Sequence, residues 1–109
     1  MTEGKDMKFF IIEGSALENH ALSESAKAEL KEQHLAYFGE ATKAGNMLLN
    51  GPKVDAVGGC MVFKAESAEK AREFFDGDPH AIAGIREYKI IEFKPAGCQD
   101  FLKEWFELE

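Results

Sequence analysis

Three histidines and two cysteines are the side chains of this 109-residue chain whose protons and lone pairs are available near neutral pH. Cys60 and Cys98 lie far apart, with no CxxC pair and no histidine nearby in sequence, so they do not form a zinc-ligand pattern. Cys60 falls in an apolar strand pattern and reads as a small core residue, whereas Cys98 follows Pro95 and Gly97 in a turn. Both are expected to be reduced thiols without a catalytic role. His34 is in line with Leu30, Tyr37, Phe38 and Ala41 at spacings of three and four, on the apolar face of a helical stretch. An imidazole buried there must find a hydrogen-bond partner. It reads either as a satisfied core histidine or as a group that exchanges protons. Asp78 precedes Pro79, a preferred way to begin a helical turn. His80 next to it reads first as a solvent-facing turn residue, with a polar wall group or a metal partner as the alternatives, and His20, in a polar loop, as exposed. No serine elbow, glycine-rich phosphate loop or metal cluster accompanies these residues, which leaves nucleophilic hydrolysis and phosphoryl transfer without sequence support.

The elements that must position these groups follow from hydrophobic period and turn chemistry. Lys8 to Glu13 is a buried strand bounded by Gly14-Ser15. Ser23 begins a long helix that ends at Gly45. Met47-Leu48-Leu49 is a short strand stopped by Asn50-Gly51-Pro52, and Val57 to Lys64 is its neighbour. Gly51 and Pro52 read as shaping a turn, and a turn at a pocket mouth can also bring neighbouring backbone N–H groups towards a ligand. Ser67 caps a second helix that ends by Gly77, and Glu87 to Lys94 is the last strand, terminated by Pro95. A tail from 96 to 109 carries Phe101, Leu102, Trp105 and Phe106 at helical spacing and is expected to dock as a short helix.

Strand, helix, strand, strand, helix, strand is the split βαβ order of a ferredoxin-like α+β fold. Its two helices cover one sheet face. The first strand, Phe9-Phe10-Ile11-Ile12, is apolar toward both faces, so a homodimer formed through the open face is expected. One domain over residues 1–109 fits the length. Thirteen basic against twenty acidic residues, with a net charge of −7, speak against a nucleic-acid partner. Apolar runs are far shorter than a membrane span, and no signal core follows the first residues, so a cytoplasmic protein is expected.

From Met7 to about Pro95 the chain resembles the YciI-like (YCII-related) family. The resemblance rests on His34-Leu35, Gly45 followed by Met47-Leu48-Leu49 and Gly51-Pro52, Ser67-Ala68-Glu69-Lys70-Ala71, and Asp78-Pro79 followed by Ala83-Gly84. It implies a dimeric α/β barrel and an active site of one His and one Asp, which map onto His34 and Asp78. It also implies that these two meet in space as an acid/base dyad. Where the family commonly has Arg three positions before the His, this chain has Lys31, which keeps the charge without the planar fork. Where an aromatic usually follows Asp-Pro, it has His80. The resulting expectation is cofactor-independent proton transfer, of lyase or isomerase type, on a small metabolite, with no metal. Lys31, Gly51, Pro52 and His80 are its ligand-binding candidates. The alternative is a non-catalytic ligand-binding or regulatory homodimer using the same pocket.

Overall fold

In the computed structural model, which describes residues 6–18 and 21–109, strand β1 (Lys8–Ala16) runs through the middle of a four-stranded sheet. It pairs antiparallel with β3 (Gly58–Ala65) on one side and with β4 (Arg86–Phe93) on the other. Strand β2 (Met47–Pro52) joins β3 at the edge, giving the order β2-β3-β1-β4 of a ferredoxin-like fold. Because side chains alternate between faces, Phe10 and Ile12 of β1, Met61 and Phe63 of β3 and Tyr88 of β4 all point one way. They meet Phe38 of α1 (Glu24–Ala44) and Phe75 of α2 (Ala68–Asp76) in one core. Phe10 and Phe75 are fully buried, each worth about 1.5–3 kcal/mol.

Local chemistry sets the helix ends where the sequence places them. Ser23 Oγ accepts from the Ala26 N–H at 3.1 Å, and Gly45, at φ 91°, closes α1 with its N–H on the Ala41 and Thr42 carbonyls. Ser67 caps α2 in the same way through the Lys70 N–H. A four-residue helix, α3 (Pro79–Ile82), leads into β4. No helix among the described residues is long and apolar enough to cross a membrane.

The strands depart from expectation where glycine was read as a breaker. β1 does not stop at Glu13; Gly14 and Ser15 continue it, paired with Gly59 and Gly58 of β3 and with Tyr88 and Glu87 of β4. Likewise Gly51 and Pro52 are not a turn but the end of β2, opposite Cys60 and Gly59. Pro52 is tolerated because β2 is an edge strand. β3 and β4 are each displaced by one residue, to Gly58–Ala65 and Arg86–Phe93. Cys60 is not a core residue: it faces away from the helices and is exposed, because inward positions on β3 are the odd ones.

The outer sheet face is partly closed by the chain's own tail. A 3-10 turn (Asp100–Leu102) and α4 (Lys103–Phe106) bring Phe106 to 5.3 Å and Trp105 to 5.7 Å from Phe9, ring centre to ring centre. Trp105 Nε1 donates to the Gly45 carbonyl at 2.8 Å, and the Lys64 ammonium lies 4.6 Å above the indole. Phe101, expected to dock with them, instead stays 83% exposed. Beyond the tail, Ile11, Ile91 and Leu49 remain 44%, 45% and 54% exposed on the same face.

Candidate active site

A cavity of about 720 Å³ opens between α1 and the inner sheet face. His34 and Lys31 reach it from one side of α1, because positions three apart share a helix face. Gly51 and Pro52 line it from the end of β2, and His80, Arg86 and Tyr88 from α3 and β4. Thus all five sequence candidates other than Asp78 border one cavity.

Asp78 lies behind that wall, fully buried. It occupies the N-cap position of α3, yet its side chain caps nothing. The carboxylate instead turns inward, where Oδ1 meets His34 Nδ1 at 2.8 Å and Oδ2 accepts the Tyr88 hydroxyl at 2.6 Å. The His34 and Tyr88 donors out-compete capping of the short α3, since charge-assisted hydrogen bonds in a low-dielectric site are about twice as strong as neutral ones. Burial pushes the Asp78 carboxyl up, but the His34 and Tyr88 hydrogen bonds, with the charge of His34, together hold it below the usual carboxylate range. An ionised carboxylate only accepts, so the hydrogen on the His34–Asp78 bond belongs to Nδ1. Nε2 is left as the free basic atom of a ring that lines the cavity.

His80 is not solvent-facing. It is buried, with its ring stacked on His34 at 4.4 Å and 15°. Burial first, then the positive charges of His34 and Arg86, lower its pKa to about 4, so it is neutral at physiological pH. Its Nδ1 has no hydrogen-bond partner among the described residues. Phe38 packs on His34 at 4.3 Å, which with the His80 stack fixes the plane of the catalytic candidate. His20 lies outside the described residues.

Ligating atoms of His34, Asp78 and His80 fall within 4.8 Å of one another, near enough to gather round a metal ion. The imidazole planes are almost parallel, however, and lone pairs lie in those planes. An ion in the plane of one ring is off the plane of the other, and both Asp78 oxygens already accept hydrogen bonds. As arranged, the cluster is suited to hydrogen bonding.

Sequence reading did not single out Tyr88, Arg86 or Gly14. Alternation along β4 puts Arg86 and Tyr88 on the helix side with Ile90, and this was the available signal. Gly14 lies opposite Tyr88, and a Cβ there would come within 2.6 Å of Tyr88 Cε1. The bare Gly14 backbone is what lets the ring lie flat enough to reach Asp78.

A four-stranded ferredoxin-like sheet with a His–Asp–Tyr array beside a cavity defines the chain as a ferredoxin-like α+β protein. The YCII-related domain family matches residues 7–94, and the chain belongs to that family. No curated protein gives a significant sequence match. Among solved structures, the chain is similar to 5-chloro-2-hydroxyhydroquinone dehydrochlorinase from Burkholderia phenoliruptrix AC1100, in complex with 2,5-dihydroxybenzoquinone. That likeness has 20% identity and a TM-score of 0.57, over 84% of this chain and 96% of the other.

Proposed function

We propose that this protein is a cofactor-independent enzyme that moves a proton on a small ring-bearing substrate. The observation that carries the proposal is the Asp78–His34 hydrogen bond, which leaves the His34 Nε2 lone pair as the free base. His34 takes a proton from a substrate carbon, and the C–H electron pair moves into an adjacent carbonyl as an enolate. Asp78 stabilises the imidazolium formed and keeps its orientation. Return of the proton to another atom completes an isomerisation; departure of a leaving group with its bonding pair completes an elimination. Tyr88 holds Asp78 ionised, and neutral His80 stacks on the imidazolium without adding a like charge. A similar fold that serves a dehydrochlorinase and binds a dihydroxybenzoquinone supports a hydroxylated ring as the first substrate class to try.

The working unit in this reading is a homodimer. Ile11, Ile91 and Leu49 form an apolar row that the tail leaves open, and a second copy laid face to face would cover it.

The test is incubation with 5-chloro-2-hydroxyhydroquinone and 2,5-dihydroxybenzoquinone in D₂O, following chloride release and loss of ring C–H signals by NMR. Acceleration by the wild type that falls at least about a hundredfold in His34→Ala supports the proposal. Equal rates in wild type and His34→Ala contradict it. A ligand bound but never converted would instead fit the non-catalytic dimer.

A further inference from the structure

The cavity holds more positive charge than proton transfer uses. The chain carries twenty acidic against thirteen basic residues, yet Lys27, Lys31 and Arg86 border this one cavity beside two imidazoles. Glu18, at an exposed position, also borders it. Asp78 is engaged at both oxygens by His34 and Tyr88. Lys27 pairs with Glu24 at 3.7 Å, but among the described residues no carboxylate lies within ion-pair distance of Lys31 or Arg86. Arg86 begins β4 opposite Ala16, facing the helices, and is partly buried. Its Nε is sealed from solvent and, like Nδ1 of the nine-tenths-buried His80, has no hydrogen-bond partner among the described residues, while the guanidinium also interacts with the Tyr88 hydroxyl. A guanidinium only partly open to water, with no carboxylate at ion-pair distance and with its reachable N–H groups at a cavity, is a ready partner for an anion from outside the chain.

Building on the proton-transfer reading, we infer that the substrate is a small planar anion whose two oxygens pair with the Arg86 guanidinium, with Lys31 at the rim, and that Arg86 selects for that charge. The planar fork of Arg86 matches the paired oxygens of a carboxylate or of a hydroxyquinone anion. Lys31, which lacks such a fork, adds long-range attraction. The low pKa of His80 fits the same picture, because a neutral His80 leaves the positive charge to the two groups that face the anion. An anionic oxygen held by Arg86 is also where charge grows when a neighbouring carbon loses its proton, so the anchor stabilises that state too.

Titration calorimetry on the wild type with two matched pairs, benzoate against benzamide and 2,5-dihydroxybenzoquinone against hydroquinone, tests the inference without any variant. The expected result is that one anion binds at least about tenfold tighter than its neutral partner. The pair that shows the preference identifies carboxylate or ring-oxygen chemistry. Arg86→Gln should abolish that preference, and Arg86→Lys should keep part of it. Equal affinity for anion and neutral partner in both pairs, or a preference that survives Arg86→Gln, overturns the inference. Wild-type protein that selects the anion but converts nothing would remove the proton-transfer reading and leave charge selection standing.

Discussion

Replacing Gly14 with alanine perturbs the site from a strand position that borders neither the His34 ring nor the cavity. The new Cβ would lie 2.6 Å from Tyr88 Cε1 and 3.0 Å from Cδ1, where ordinary contact is 3.4–4 Å. The ring must retreat by roughly 1 Å, against Phe75 packed 5.0 Å from it. That retreat takes the Tyr88 hydroxyl from 2.6 Å to beyond hydrogen-bond range of Asp78. Overpacking costs about 1–3 kcal/mol, and losing a hydrogen bond to a buried carboxylate about 1.5–3 kcal/mol. Loss of glycine entropy from the unfolded chain offsets about 0.4–1 kcal/mol of this. The net expectation is a destabilisation of about 1.5–5.5 kcal/mol, read by urea unfolding on the fluorescence of the lone Trp105. In a Tyr88→Ala background the methyl group has room, and the same substitution should cost nothing. A cost below about 1 kcal/mol in the wild type, or an equal cost in both backgrounds, would refute the packing argument.

Three further outcomes follow from the packing and charge of the fold. His80, with a pKa lowered from 6.5 to about 4, stays neutral in the native state while the unfolded chain takes up a proton. Stability should therefore fall by up to about 3 kcal/mol as pH drops from 6.5 to 4, and His80→Phe should flatten that limb of the urea-midpoint profile. Light scattering should give twice the 12.1 kDa chain mass, and Ile91→Lys, which places a charge in the open apolar row, should return it to the single-chain value. Trp105→Ala removes the Gly45 hydrogen bond and the Phe9 and Lys64 contacts, and should lower stability by about 2–3 kcal/mol in thermal melts followed by circular dichroism.

What was legible in the sequence is what local chemistry decides. Ser23 and Gly45 bound α1 because capping and a left-handed residue are properties of a few neighbouring atoms. The three- and four-residue spacing that puts His34 on the inward side of α1 was equally readable. The strand ends were not, because Gly14 and Gly51 carry the signature of turns while the structure continues strands through both, and at Gly14 the missing side chain leaves room for Tyr88. Asp78-Pro79 reads correctly as the start of a helical turn, yet the direction of the carboxylate is a tertiary outcome, set by His34 and Tyr88 arriving from α1 and β4. No spacing rule links residues 44 apart, so only family resemblance could join His34 to Asp78 beforehand. The sequence favours a solvent-facing His80, because a polar residue after Asp-Pro is ordinarily so, and the structure overturns it. Its burial depends on a stack with His34 that only the fold creates.

Nitrogen-15 NMR of the His34 ring, at a pH where it is neutral, tests the central claim most directly, since that claim is that Asp78 fixes the proton on one nitrogen. The prediction is a proton on Nδ1 and an unprotonated Nε2 in the wild type, with that preference lost in Asp78→Asn. A wild-type ring protonated at Nε2 with Nδ1 bare would contradict it, because an ionised Asp78 has no proton to donate and the base facing the cavity would no longer exist.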